Sequence, residues 1–271
     1  MSKTYVITGA TSGIGNVLVK LLANDNVVFA GYRNEEKAKE LSSLSDNVYP
    51  FYVDYAKPET ISYACEYIKS KCGKIDTLVN IAGCVVAGPV ENINIDEIRR
   101  QFNVNVFGHV EIAQGLLERL DDGKIINLSS MASYGVFPFI SPYCASKRCL
   151  DMFFNTLMIE NKRNIKVVSI KPGVIATPLW EKSVNENIKY IDSCGDYKKE
   201  MDYVLANSKR NQTRGLTAED VAKVIIKVDG MKNPKLSYNV GKDSIVASIV
   251  AKLPQNIINN IVKLGIKLRI K

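Results

Sequence analysis

The 271 residues are 46% hydrophobic and 24% charged, an ordinary globular composition long enough to enclose one large core. Its 36 basic and 28 acidic side chains give a formal charge of +8, but they are interspersed, and no zinc-finger spacing or basic heptad pattern occurs, which argues against a nucleic-acid partner. One histidine and six cysteines without a CxxC pair predict no metal site, and MSKTYVITGA has no separate apolar leader. With no run near the roughly 18 apolar residues of a spanning helix, the expected location is the cytoplasm.

The first β-rich run, TYVIT (4–8), leads into TGATSGIG (8–15) and a helical stretch at 14–24. Gly9, Gly13 and Gly15 let the backbone turn sharply and come close to a phosphate, while the amides opening the helix face the anion. The spacing G-x-x-x-G-x-G is not the standard G-x-G-x-x-G, so its position after the first strand is what argues for a dinucleotide. No GxxxxGK[ST] occurs. The second strand, VVFAGY (27–32), ends at Arg33, where an acid for the ribose hydroxyls is usual; a guanidinium there suits a 2′-phosphate, so NADP is expected rather than NAD.

Further on, helical stretches at 35–44, 58–71, 91–119 and 143–161 alternate with strands at 48–53, 75–80, 124–129 and 165–170, and Pro58 and Pro142 fall where a first helical turn begins. Six strands alternating with helices predict an α/β fold, a single-domain, doubly wound parallel sheet of Rossmann type with helices on both faces, spanning 1–271. His109 is expected to pack on the long helix 91–119, and without a G-x-S-x-G elbow a Ser-His-Asp hydrolase has little support. In SPYCASK (141–147), Tyr143 and Lys147 are four apart and share one helix face. Ionising a phenol of pKa ~10 at neutral pH costs roughly 4 kcal/mol. A cation at about 4 Å contributes a similar amount at an effective dielectric of about 20, so the pair is expected to transfer protons, with Lys147 lowering the tyrosine pKa.

TGATSGIG, Asp54, NIAG (80–83), Asn105, Ser130, YCASK and PGVIAT (172–177), in that order, resemble the short-chain dehydrogenase/reductase family over about residues 3–230. The resemblance implies Tyr143 as catalytic acid/base and Ser130 as the group bonding the substrate oxygen. Lys147 would bind the nicotinamide ribose, and Asn105 would order a water-linked proton path. Gly9, Ser12, Gly13, Ile14 and Gly15 would hold the pyrophosphate side and Asp54 the adenine. Asn80, in a loop shared with Ala82 and Gly83, would meet the adenosine ribose, while Ile175 and Thr177 would meet the carboxamide. The family commonly has NNAG; here Ile81 replaces the second asparagine and is expected to pack in the sheet.

The segment 178–215 is expected to cover the substrate, with Trp180, Tyr190, Tyr197, Met201 and Tyr203 as apolar contacts for a bulky hydrophobic molecule. The resemblance favours a hydroxysteroid, then an acyl-dihydroxyacetone-phosphate or retinal carbonyl, and a homo-oligomer. A cofactor-sensing binding protein is the non-enzymatic alternative, against which the intact Asn-Ser-Tyr-Lys set argues. At the C-terminus, 243–271 forms a helical extension divided by Pro254. Its apolar stripe is narrow and interrupted by asparagines, so closure over the cleft or packing on a second subunit is expected rather than membrane contact.

Overall fold

Nearly continuous apolar runs make strands that are buried on both faces, as a parallel sheet requires. The computed structural model describes residues 2–176, 195–211 and 214–270. Seven described strands form one parallel sheet: β1 (Thr4–Ile7), β2 (Val27–Tyr32), β3 (Val48–Tyr52), β4 (Thr77–Asn80), β5 (Lys124–Leu128), β6 (Lys166–Pro172) and β7 (Ser237–Val240). Their order is β3-β2-β1-β4-β5-β6-β7, so the chain reverses direction across the sheet between β1 and β4. A crevice opens outside the carboxyl ends of the strands at such a point.

Alternation along each strand divides the core in two. Val6, Phe29, Leu78, Ile125 and Val167 meet α3 (Glu59–Lys71), α5 (Gly108–Leu116) and α6 (Ser141–Glu160) through Ile61, Ile68, Ile112, Leu116, Leu150 and Phe154. Ile7, Val28, Val79, Ile126 and Val168 meet α1 (Gly13–Leu22), α2 (Glu35–Ser42) and α8 (Ala218–Asp229) through Leu18, Leu22, Leu41, Val221, Ile225 and Val228. Each such side chain, fully buried, contributes roughly 1.5–3 kcal/mol. Buried Asp229 at the end of α8 accepts from Lys3 (2.6 Å), Tyr5 (2.8 Å) and Thr77, tying that helix to β1 and β4.

Three expectations change. The stretch 91–119 begins as helix at α4 (Ile95–Phe102), widens into a π-helical turn at Asn103–Phe107, continues as α5 and ends in a tight turn at Leu117–Arg119. The segment 178–215, whose length and composition suggest a structureless stretch, is helical over most of its described part, in α7 (Lys198–Asn211). The seventh strand, SYNV, is an exposed edge with only Val240 buried, so it lacks the apolar run that marks the others. Beyond it lie α9 (Lys242–Val250) and α10 (Gln255–Ile270), on either side of Pro254.

Candidate active site

A cleft of about 1280 Å³ runs from the β1 turn, past the ends of β4 and β5, to the C-terminal helices. Its first half opens with backbone and small residues. Gly9 has φ +67°, and a Cβ there would lie 2.9 Å from the Ala82 nitrogen. Gly15 does not line the cleft; a Cβ on it would strike the Gly9 carbonyl at 2.2 Å, so it lets α1 close onto the turn. Ser12 precedes α1 in extended conformation without capping it, and the first turn of α1 has no acid, whereas Asn34 caps α2 and Glu35 and Glu36 follow it. The amides opening α1 thus keep their partial positive charge for an anion. Arg33, Asp54 and Ile14 line the same half, Arg33 4.0 Å from Asp54 and more than half exposed, with Lys37 beside them. A close-approach turn, an uncapped helix start and a basic rim fit a phosphorylated dinucleotide.

At the midpoint stand Ser130, Tyr143 and Lys147. Ser130 follows β5 and accepts from the Ala132 amide at 3.1 Å. Tyr143 lies in the first turn of α6, and its hydroxyl shares a hydrogen bond with Ser130. Burial pushes the phenol up to about 12, the Ser130 bond offsetting part of the rise. Lys147 is 3% exposed, donates to the Leu128 carbonyl at 2.8 Å and holds its ammonium 5.8 Å from the Tyr143 ring centre. Burial lowers it to about 8, against the pull of Asp151 one turn further along α6. Among the protein's own groups, burial is thus the largest influence on the phenol and acts against ionisation, while the Ser130 hydrogen bond acts in its favour.

The loop after β4 is held from below. Gln101, Asn105 and His109 recur at four-residue spacing along α4, the π turn and α5. Gln101 accepts from Val86 (3.0 Å); Asn105 accepts from the Cys84 amide and donates to its carbonyl (both 2.9 Å) and to Ser146 Oγ (3.0 Å); His109 Nε2 meets the Ala82 carbonyl at 2.8 Å. Ser146 in turn donates to the Tyr143 carbonyl at 2.8 Å. Asn105 thus joins the nucleotide loop to the turn bearing Tyr143, and its side chain does not line the cleft. Burial, then the Lys147 charge, lower His109 to about 3, so it is neutral and its N–H is committed to the loop. Asn80 is fully buried and outside the cleft lining; its Nδ2 donates to Asn127, its register partner on β5, at 2.8 Å, and its Oδ1 has no hydrogen-bond partner among the described residues. Ala82, Gly83 and Ile81 do line the cleft, Ile81 also packing on the α1 side of the core.

Three further groups escape a motif reading. Asp151 pairs with Lys171 at 2.8 Å, both buried, and accepts from Ser169 at 2.9 Å. The Lys171 ammonium lies 4.2 Å from the Tyr134 ring centre, and the Tyr134 hydroxyl donates to Asn239 at 2.8 Å. A charged layer therefore braces α6, β6 and the Ser130 turn from behind. An acid four residues after Lys147 is its only local signal.

The far half of the cleft is mostly apolar: Met201, Val204 and Leu205 of α7, Val246 and Val250 of α9, and Ile258, Val262 and Ile266 of α10, with Glu200 and Asn207 of α7 also in its lining. Met201 is fully buried, Tyr203 lines the cleft and Tyr197 lies edge-on to Phe139 at 6.2 Å. Ile175 lines the cleft. Thr177, Trp180 and Tyr190 lie outside the described residues.

The family model for short chain dehydrogenases matches residues 3–188. An NADPH-dependent 3-dehydrocapnine reductase of Ornithobacterium rhinotracheale is 32% identical over 254 residues, 89% of each chain. An NADPH-dependent 1-acyldihydroxyacetone phosphate reductase of Saccharomyces cerevisiae is 34% identical over 188 residues, 66% of this chain and 63% of that one. A short chain dehydrogenase of Burkholderia cenocepacia solved with NADP superposes with a TM-score of 0.76 at 19% identity, covering 96% of this chain and 97% of that one, a likeness of fold. By the span of that family model and the identity of those relatives, the chain belongs to the short-chain dehydrogenase family.

Proposed function

We propose that this oxidoreductase transfers a hydride between NADP(H) and the carbonyl carbon of a bulky, lipophilic ketone. NADP(H), when bound, supplies the hydride. The first-turn amides of α1 and the Gly9–Gly13 turn hold its pyrophosphate, Arg33 its 2′-phosphate and Asp54 its adenine. Ala82 and Gly83 flank the adenosine side, Lys147 holds the nicotinamide ribose, and Ile175 meets the carboxamide. Ser130 donates to the substrate oxygen, and Tyr143 delivers the proton to it as the carbonyl becomes an alcohol. Asn105 positions the turn that carries Tyr143.

The observation that carries this reading is the hydrogen-bonded Ser130–Tyr143 pair, its phenol held protonated, at the boundary between the nucleotide turn and an apolar trough. A trough walled by three helices accepts an acyl chain or a fused-ring skeleton. Two relatives named for reductases, one of an acyl ketone phosphate, favour an acyl-chain ketone. The hydroxysteroid, first among the expectations from sequence, is the second reading, supported by the volume of the cleft. A panel of acyl-ketone, steroid and retinoid carbonyls, followed by loss of NADPH absorbance, tests it. Acyl ketones are expected to give the highest kcat/KM. Turnover confined to small water-soluble ketones defeats both readings.

A further inference from the structure

α10 has three faces. Ile258, Val262, Gly265 and Ile266 turn toward the cleft. Asn256, Asn259, Asn260, Lys263 and Lys267 share a second side by helical phase, and all five are exposed. Between these runs a third row: Ile257, Ile261, Leu264 and Leu268, at i, i+4, i+7 and i+11, with exposures of 42, 51, 58 and 66%. Leu253 (42%) and Ile249 (59%) continue it across Pro254 onto α9. No described residue covers this row. The asparagines that seem to break the stripe in sequence lie on the polar side, so the stripe is continuous where it is exposed.

Its charge identifies the occupant. From Ser244 to Lys271 the chain carries Lys252, Lys263, Lys267, Arg269 and Lys271 and no aspartate or glutamate. Isologous pairing of two copies through this face would set these cations against one another. An apolar row flanked by asparagines and lysines, with no acid in its stretch of chain, is complementary to a sheet of acyl chains bearing anionic headgroups, and no described helix is long and apolar enough to cross it. We infer that the outer face of α9 and α10 docks on an anionic bilayer surface, with the row shallowly inserted and the lysines at the headgroups. This reverses the expectation from sequence alone. Ile261 belongs to both the row and the cleft lining, so docking sets the apolar half of the cleft at the bilayer. The inferred consequence, that substrate enters from the membrane, rests on the proposed lipophilic substrate; the docking itself does not.

Vesicle sedimentation tests the docking without reference to activity. The intact protein is expected to sediment with mixed phosphatidylglycerol–phosphatidylcholine vesicles, to bind pure phosphatidylcholine far less, and to be released by salt. Lys263→Glu/Lys267→Glu and, separately, Leu264→Ser/Leu268→Ser are each expected to lower the partition coefficient by about tenfold or more. None of these four residues lines the cleft, so both variants should keep wild-type turnover of a small soluble ketone without vesicles, which certifies their folding. Absent binding, equal binding to neutral vesicles, or variants that partition like wild type would overturn the docking. So would sedimentation velocity showing a dimer that Leu264→Ser/Leu268→Ser dissociates with no vesicle binding, which assigns the face to a second copy. If docking holds but vesicles do not raise turnover of acyl ketones, the substrate reading fails alone.

Discussion

Tyr143 concentrates the chemistry at one oxygen. Because burial keeps the phenol protonated with a pKa near 12, its hydrogen is available to a substrate oxygen throughout the neutral range. Tyr143→Phe removes that proton and little else, so kcat should fall by roughly 10²–10⁴-fold or more while the NADPH Kd, read by fluorescence titration, stays nearly unchanged. His109 makes a claim about stability. Its folded pKa, about 3, lies below the ordinary 6.5, so between those values the unfolded chain binds a proton that the folded chain refuses. Its contribution is whole above about pH 6.5 and is lost as the pH falls toward 3, with a slope approaching ~1.4 kcal/mol per pH unit. Between pH 7 and 5 ordinary carboxylates stay largely ionised and Lys147, near 8, keeps its proton. Urea denaturation should therefore show wild type losing stability across that window and His109→Gln nearly flat at a lower ceiling. Parallel wild-type and variant slopes would rule out the buried neutral histidine.

Helix-borne polar residues set how much of the site is legible in sequence. The β1 turn is legible because phosphate approach depends on backbone, and backbone needs leave glycines at fixed spacing, as Gly9 and Gly15 show. Tyr143 and Lys147 are legible because one helical face brings them together. Asn80 is not, because an asparagine ending a strand looks the same whether it faces a ligand or its neighbour Asn127. Gln101, Asn105 and His109 look like an ordinary amphipathic helix, and only the π turn brings their rows under the loop. The Asp151–Lys171 pair is hidden because its partners are on different elements. Removing one member of such a pair strands the other's charge in the interior, at a cost of about 3–5 kcal/mol. Lys171→Met should lower the urea midpoint accordingly, and Asp151→Asn/Lys171→Met should recover much of the loss. Asp151→Asn alone removes the charge that holds the Lys147 pKa up, so the alkaline limb of its pH–rate profile should move to lower pH. An unmoved limb would sever Asp151 from the site.

At the scale of the molecule, the two halves of the cleft come from opposite ends of the chain. Residues up to Ile175 build the nucleotide half, while α7, α9 and α10 wall the apolar half. Truncation after Leu253 removes the wall formed by Ile258, Val262 and Ile266 and leaves the sheet intact. The shortened protein should bind NADPH normally yet turn over acyl or steroid ketones several-fold more slowly, chiefly through KM; undiminished kcat/KM would deny α10 any part in the substrate half. This wall is the least legible region, since its apolar residues are spread over three short helices whose meeting depends on the completed sheet. The strand order has a consequence of another kind. β1 pairs with β2 on one side, but its other edge, beside Tyr5, Val6 and Ile7, receives β4 only when Thr77–Asn80 has left the ribosome. Until then the nascent chain presents an unpaired apolar strand edge, a template for other chains. Slow translation through the α2–α3 region should thus raise the aggregated fraction more than an equal pause after β4, and the centre of the finished sheet is the most exposed point of its assembly.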